Sequence, residues 1–271
     1  MNGEQLVAYM EAGKRIYGTL ITSAMPSWFP KIPTIGLDFV FIDTEHVPID
    51  RNMLSFICNN FSAMGIAPLV RIPSPDPFEA CKALDAGAYG ILAPYIETAE
   101  QVRQLVGAVK YRPLKGKRLQ DVLSGDVILS QKEKDYFKSY NSGRFLLVNI
   151  ESREAINNLD RILEVPELSG VVIGPHDLSI NLGIPEEYTN KIFTDAVSLI
   201  IQKALEHKKA VGNHFSFGIE QELAWAKEGM NIILHSIDSV IFINNMRREL
   251  NRFGEVLGDP IFEITASRSA E

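Results

Sequence analysis

Cysteine is scarce in this 271-residue chain: Cys58 and Cys81 are the only two, and neither sits in a CxxC or zinc-type spacing. That excludes a disulfide framework and a thiolate metal centre, and leaves buried free thiols in a reducing cytoplasm as the plain expectation. Positive charge is also short. Lysine and arginine total 27 against 34 aspartate and glutamate, a net charge of -7. No basic cluster is interleaved with aromatics, so nucleic acid is not an expected partner. No apolar run approaches the ~20 residues of a membrane span, and the opening MNGEQLVAYMEAGKR has no apolar core of signal type. The expectation is a cytoplasmic protein with no membrane partner. Several catalytic signatures are missing too. There is no GxGxxG after the first strand, no P-loop and no GxSxG. No lysine directly follows an apolar strand, as a Schiff-base enzyme would require.

What is present is alternation. Short runs that are apolar on both faces predict strands over Tyr17–Ile21, Phe39–Asp43, Pro68–Arg71, Gly90–Ala93, Phe145–Ile150, Gly170–Ile173, Ala210–His214 and Ile232–Leu234. Such strands belong to a parallel sheet covered by helices. Amphipathic segments separate them. Asp76-Pro77 opens a helix over Phe78–Ala86 and Gly87 closes it; Thr98 opens Ala99–Lys110; Ser152 opens the next; Lys191–His207 and Ile219–Glu228 follow. Eight strands in this order predict one α/β domain over 1–271, a (β/α)8 TIM barrel of ordinary size, in preference to a doubly wound open sheet. Two regions depart from the pattern. Residues 112–144 form a long excursion with a helix expected around Gln131–Tyr140, and the tail after Ile264 is polar.

Polar residues gather at the strand ends. FVFID runs into Asp43, Glu45 and His46; PLV into Arg71; LLVNI into Asn149 and Glu151; GVVIG into His176 and Asp177; AVGN into His214; IIL into His235. Barrel enzymes build their sites on that face. Each residue has a plainer reading. A carboxylate after a strand is often a helix cap, as Asp76 is expected to be, and Arg71 could pair with a loop carboxylate. His214 and His235 read as packed or hydrogen-bonded residues. Jointly, carboxylates on adjacent strands without Cys or His-x-His favour a hard divalent cation, Mg2+ or Mn2+ with Co2+ as a further option, completed by waters and substrate oxygens.

At these residues the chain resembles the HpcH/HpaI aldolase family of class II, metal-dependent pyruvate aldolases, whose barrel is of the phosphoenolpyruvate-binding type. FIDTEHVP (Phe41–Pro48), VRIPSPDP (Val70–Pro77), VNIESREAINN (Val148–Asn158) and VIGPHDLSINLG (Val172–Gly183) carry the resemblance. It implies that Glu151 and Asp177 bind the metal and that Arg71 contacts the ketone oxygen of pyruvate. It implies proton transfer by His46, partnered by the helix residue Asp85, and a further active-site role for Asp43. The main-chain amides of the turn Gly174, Pro175, His176 and Asp177 would hold the pyruvate carboxylate. Asn149 stands where the family usually has glutamine and would contact substrate. Gly116 and Arg118 match a GxRG loop, but Leu119 replaces its second glycine.

The implied reaction is reversible cleavage of a 4-hydroxy-2-oxo acid to pyruvate, or a similar 2-oxo acid, and an aldehyde. The family commonly assembles as trimers or hexamers, so a homo-oligomer is expected. Two alternatives stay open. One is an acyl-CoA lyase or oxo-acid decarboxylase of the same superfamily. The other is a non-catalytic barrel that binds a small acid, which the altered Lys115–Asp121 loop motivates.

Overall fold

A computed structural model describes residues 1–216 and 218–259. The tail expected after Ile264 lies outside the described residues. Eight parallel strands close into a barrel in sequential order: β1 Ile16–Leu20, β2 Phe39–Asp43, β3 Ala67–Arg71, β4 Gly90–Ala93, β5 Phe145–Ile150, β6 Gly170–Ile173, β7 Ala210–Phe215 and β8 Ile232–Ile237. The helices are α1 Gly3–Glu11, α2 Arg51–Ala63, α3 Pro77–Asp85, α4 Ala99–Lys110, α5 Gly116–Ser124, α6 Gln131–Tyr140, α7 Arg153–Asn157, α8 Leu159–Leu163, α9 Pro175–Asn181, α10 Lys191–Glu206, α11 Ile219–Glu228 and α12 Asp238–Leu257. Among the described residues no helix is long and apolar enough to cross a membrane.

Alternation along each strand sorts its side chains into two cores. Phe39, Phe41, Leu69, Phe145, Leu147, Val172 and Leu234 fill the barrel interior, and Leu6 and Met10 of α1 plug its N-terminal end. Val40, Val70, Ile91, Val148, Val171 and Val211 face outward and are fully buried beneath the helices. Each such buried side chain stabilises the fold by ~1.5–3 kcal/mol. This two-sided burial explains why the strands read as continuous apolar runs rather than alternating ones.

Caps place the helices as the sequence predicts. The side chains of Asp76, Thr98 and Ser152 each accept a backbone N–H from the first turn of the helix they open. The excursion differs from expectation, because it holds two helices. α5 buries none of its residues, and its polar exposed character hid it in the sequence. Leu119 and Leu123 of α5 lie against Gly107 of α4, where a Cβ would come within 2.9 Å of Leu123. Leu119 is therefore a packing residue of an added helix. Arg118 pairs with Glu133, joining α5 to α6.

Candidate active site

The C-terminal ends of β2, β3, β5 and β6 bring the polar residues to one mouth. Asp43 and Arg71 are direct neighbours in the β2–β3 register. Arg71 donates through Nε to Asp43 Oδ1 at 2.9 Å and through Nη2 to Oδ2 at 2.7 Å. The backbone N–H and hydroxyl of Thr44 both donate to the Arg71 carbonyl, fixing the strand end. Burial pushes the Asp43 carboxyl up, but the hydrogen bonds and charge of Arg71 outweigh it and hold Asp43 below its usual range. Burial opposes the charge on Arg71, yet Asp43, Glu45 and Glu151 together hold its pKa above the usual value. Its Nη1 has no hydrogen-bond partner among the described residues and remains free for a ligand.

On the other side Glu151 is buried, 5% exposed, at the end of β5. Its Oε1 accepts from the Tyr95 backbone N–H at 2.7 Å and its Oε2 from Asn149 Nδ2 at 2.9 Å. Tyr95 reaches it by adopting φ 54°, the left-handed region, directly after β4. Gly174 makes room: a Cβ there would sit 2.6 Å from Glu151 Oε2. Glu151 is pushed up to about 7, by desolvation first and then by the charges of Asp177 and Glu45, against the pull of Tyr95 and Asn149. Two neutral donors do not compensate that concentration of negative charge.

Glu45 completes the acidic side; the sequence set it among the polar residues at the strand ends but gave it no role. Its side chain is 8% exposed, and its Oε2 lies 3.1 Å from Arg71 Nε, whose single hydrogen is committed to Asp43. That oxygen is buried without a hydrogen bond among the described residues. Glu45 also meets the Tyr95 hydroxyl, which raises the phenol to about 12. The sequence signal for Glu45 was its place two residues after Asp43; Tyr95 had none. His46 is half-exposed at the rim, its Nε2 3.7 Å from Glu45 Oε2. Below the mouth His214 contacts the ring of Phe41, and its Nε2 lies 3.2 Å from the Ser236 carbonyl. A carbonyl only accepts, so Nε2 carries the hydrogen. Desolvation and then Arg71 depress this histidine to about 4, leaving it neutral.

Two expectations take a narrower form within one chain. Asp85 ends α3, which runs back from the mouth to the N-terminal end of β4, so it lies on the opposite face of the barrel from His46. It is 61% exposed and paired with Arg112, and within one chain it does not partner His46. The turn Gly174–Asp177 also offers fewer amides than expected. Pro175 has no N–H, and Gly174 donates to the Ile150 carbonyl at 3.4 Å. The amides of His176 and Asp177, in the first turn of α9, have no protein acceptor among the described residues. His176 itself leans outward, 3.7 Å from Glu186.

The arrangement pairs a cationic side with an anionic one across a single opening. Among the described residues no three His, Cys, Asp or Glu side chains form a closed metal-ligating group. The donor chemistry nevertheless suits a hard cation: the buried Glu151 carboxylate is opposed by the charges of Asp177 and Glu45, a repulsion that positive charge would relieve.

The family model for HpcH/HpaI aldolase/citrate lyase matches residues 17–245. The chain belongs to this family. A 2-keto-3-deoxy-L-rhamnonate aldolase of Salmonella paratyphi B is 34% identical over 234 residues, which cover 82% of this chain and 83% of that protein. Among solved structures, an HpcH/HpaI aldolase of Desulfitobacterium hafniense superposes with a TM-score of 0.80 at 23% identity, covering 96% of this chain and 99% of that one. The citrate synthase SbnG superposes at 0.79 with 26% identity, covering 94% and 99%. This HpcH/HpaI chain is a carbon–carbon lyase, and its family is generally dependent on a divalent metal.

Proposed function

We propose that the chain is a class II aldolase that reversibly cleaves a 4-hydroxy-2-oxo acid to pyruvate, or a similar 2-oxo acid, and an aldehyde. One observation carries the reading. Arg71, clamped by Asp43 and paired with Glu45, keeps Nη1 free and shares one mouth with the carboxylates Glu151 and Asp177. Such an opening suits a substrate whose charge develops between the two sides.

Glu151 and Asp177 would hold Mg2+, Mn2+ or Co2+, which when bound supplies Lewis-acid polarisation of the 2-oxo acid. The amides of His176 and Asp177 orient the substrate carboxylate. Arg71 directs Nη1 at the oxygen that becomes the enolate oxygen, stabilising charge that is larger in the transition state than in the ground state. Asp43 keeps the guanidinium plane fixed, so little reorganisation is needed as that charge appears. His46, exposed at the rim, moves the proton to or from the aldol hydroxyl. Asp85 faces solvent at the far end of α3, so in this scheme it serves His46 only if a second copy presents it. Asn149 orients the Glu151 carboxylate through Nδ2.

The deciding measurement is turnover of a panel of 4-hydroxy-2-oxo acids, with and without added divalent metal. Pyruvate release from at least one member, abolished by chelation, is the expected result. The 26% identity to a citrate synthase favours adding a dicarboxylic 2-oxo acid to the panel as acceptor. Turnover with that acceptor alone would replace the aldehyde reading.

A further inference from the structure

The face of the barrel opposite the mouth has a pocket of its own. It lies at the N-terminal ends of β6 and β7, against α1, and encloses about 220 Å³. Sites for drug-sized ligands are larger, so the space suits a small ion or metabolite. Three lysines line it: Lys110, the last residue of α4, and Lys208 and Lys209 in the turn before β7. Two carboxylates oppose them, Glu11 at the end of α1 and Glu167 ahead of β6. One positive charge is left over. Glu167 and Lys208 both stand in left-handed backbone, at φ 66° and 56°. Glycine takes such turns without steric cost. Here both turns instead carry a charged residue, and both residues line the cavity.

The ammonium groups are only partly satisfied. The Lys110 side chain is 18% exposed, and its Nζ donates to the Arg144 carbonyl at 2.8 Å. The Glu167 carboxylate stands 3.8 Å away, an ion pair too long for a hydrogen bond. Lys209 donates through Nζ to the Leu168 carbonyl at 2.8 Å and, less closely, to the Val165 carbonyl at 3.4 Å. An ammonium carries three hydrogens. Each of these two lysines therefore keeps at least one without an acceptor among the described residues. Burial lowers Lys110 below the ordinary lysine value, against the pull of Glu167 and Glu11. Burial lowers Lys209 too; Glu167 opposes the fall and Lys110 adds to it. The two cations sense each other, and the protein compensates neither in full.

We propose that this pocket binds a small phosphate dianion, free or as the monoester of a small hydroxylated molecule, between the ammonium groups of Lys110 and Lys209. The donor set selects the ligand. Lysine meets phosphate as a point charge, whereas planar carboxylates are matched by the arginine fork, and no arginine lines the pocket. The unused hydrogens of Lys110 and Lys209 supply charge-assisted bonds to two of the oxygens. Ser169 lines the same space and offers a hydroxyl to a third. Val7 and Met10 form an apolar wall beside the lysines, with room for a short carbon chain, and Glu11 can accept from its hydroxyls. Glu167, 54% exposed, stands at the rim and works against the ion. A bound dianion would tie α1 and α4 to the turns that enter β6 and β7, and so stabilise the folded chain. The site lies at the other end of the barrel from Arg71 and Glu151 and does not depend on the aldolase reading.

Calorimetric titration of the whole, chelator-treated chain tests it, with inorganic phosphate and glycerol 3-phosphate as probes at constant ionic strength. The buffer is held at about pH 8, where a phosphate monoester is doubly charged. One saturable site per chain is expected for at least one probe at millimolar concentration or below, and none for chloride. Tighter binding of glycerol 3-phosphate identifies a monoester as the ligand; equal or tighter binding of inorganic phosphate identifies the free ion. Lys209→Gln should weaken the binding about tenfold or more, the usual scale for a hydrogen bond to a charged group. Glu167→Gln should tighten it several-fold, because it removes a negative charge from the rim. A damaged fold cannot imitate that gain, so Glu167→Gln decides the matter even where Lys209→Gln folds poorly. The melting temperature of the unsubstituted chain should rise with phosphate, and that of Lys209→Gln should rise less. Absence of saturable binding by both probes overturns the proposal. Binding that neither substitution alters also overturns it, since the ion would then sit at the mouth.

Discussion

Asp43 and Glu151 are buried carboxylates at the ends of strands that share one mouth, yet their surroundings push them in opposite directions. Asp43 receives two donors from a guanidinium and is held below the ordinary carboxylate range. Glu151 receives an amide N–H and an asparagine N–H, faces Asp177 and Glu45, and is pushed up to about 7. The difference is one of missing charge. The fold supplies a cation to one carboxylate and withholds it from the other, and a group that withholds compensation in a buried site is poised to receive it from a ligand.

If that comparison is right, the largest loss should follow damage to the uncompensated side. Glu151→Gln or Asp177→Asn should lower divalent-metal affinity and turnover together by more than ~10²-fold, since even groups that only orient a metal ligand typically cost 10–100-fold. Full turnover by a chelated, metal-free preparation would end the metal reading. His46→Asn stands next. Loss of a general acid–base group costs ~10²–10⁴-fold in rate, while metal affinity measured by calorimetry should be unchanged; a variant that loses its metal would make His46 a ligand. On the compensated side Arg71→Lys keeps the charge but not the planar fork that meets Asp43. It should cost ~10²–10³-fold in kcat, about 3–4 kcal/mol, and should slow exchange of the pyruvate C3 protons, which needs no aldehyde. Exchange at the original rate, with only the aldehyde KM raised, would make Arg71 an acceptor-positioning group. Asn149→Ala should have a smaller effect, ~10–100-fold in metal affinity. Unchanged metal affinity with a raised KM for the 2-oxo acid would instead return Asn149 to substrate contact.

The barrel was legible because each strand is buried on both faces, and that leaves a continuous apolar run of the right length. All eight strands lie within three residues of the predicted ends. The caps were legible because Asp76, Thr98 and Ser152 act on their own neighbours. What was not legible shares a different cause. Asp85 was expected beside His46 from motif alone, but its position depends on which way α3 runs, and in one chain that carries it to the far face. The contribution of Tyr95 is a backbone N–H delivered by a left-handed turn, and side-chain identity does not report it. Glu45 stood among the strand-end polar residues, but its role depends on Arg71 and Tyr95, which only the fold brings to it. α5 escaped because none of its residues is fully buried, and the few apolar side chains it lays against α4, Leu119 and Leu123, are too sparse a pattern for apolar periodicity to reveal.

The smallest effect should appear in the pH dependence, and it tests the comparison without any substitution. Unfolded, Glu151 has the ordinary glutamate pKa of 4.5; folded and metal-free, burial pushes it up to about 7. The folded chain therefore binds more proton than the unfolded chain between those values, and this group makes metal-free stability fall as pH rises through the window. Asp43 acts with the opposite sign: its depressed pKa contributes stability above the ordinary aspartate value of 3.8 that is lost as pH falls through the folded value. A metal must meet Glu151 deprotonated, so its affinity should fall by up to ~10-fold per pH unit below about 7. Calorimetric titration of Mg2+ or Mn2+ at pH 6, in buffers of different ionisation enthalpy, should show release of most of one proton per ion bound. In the Glu151→Gln variant any residual binding should release none. Proton-neutral metal binding by the unsubstituted chain at pH 6 would mean that Glu151 is already ionised there, and the two carboxylates would then be alike.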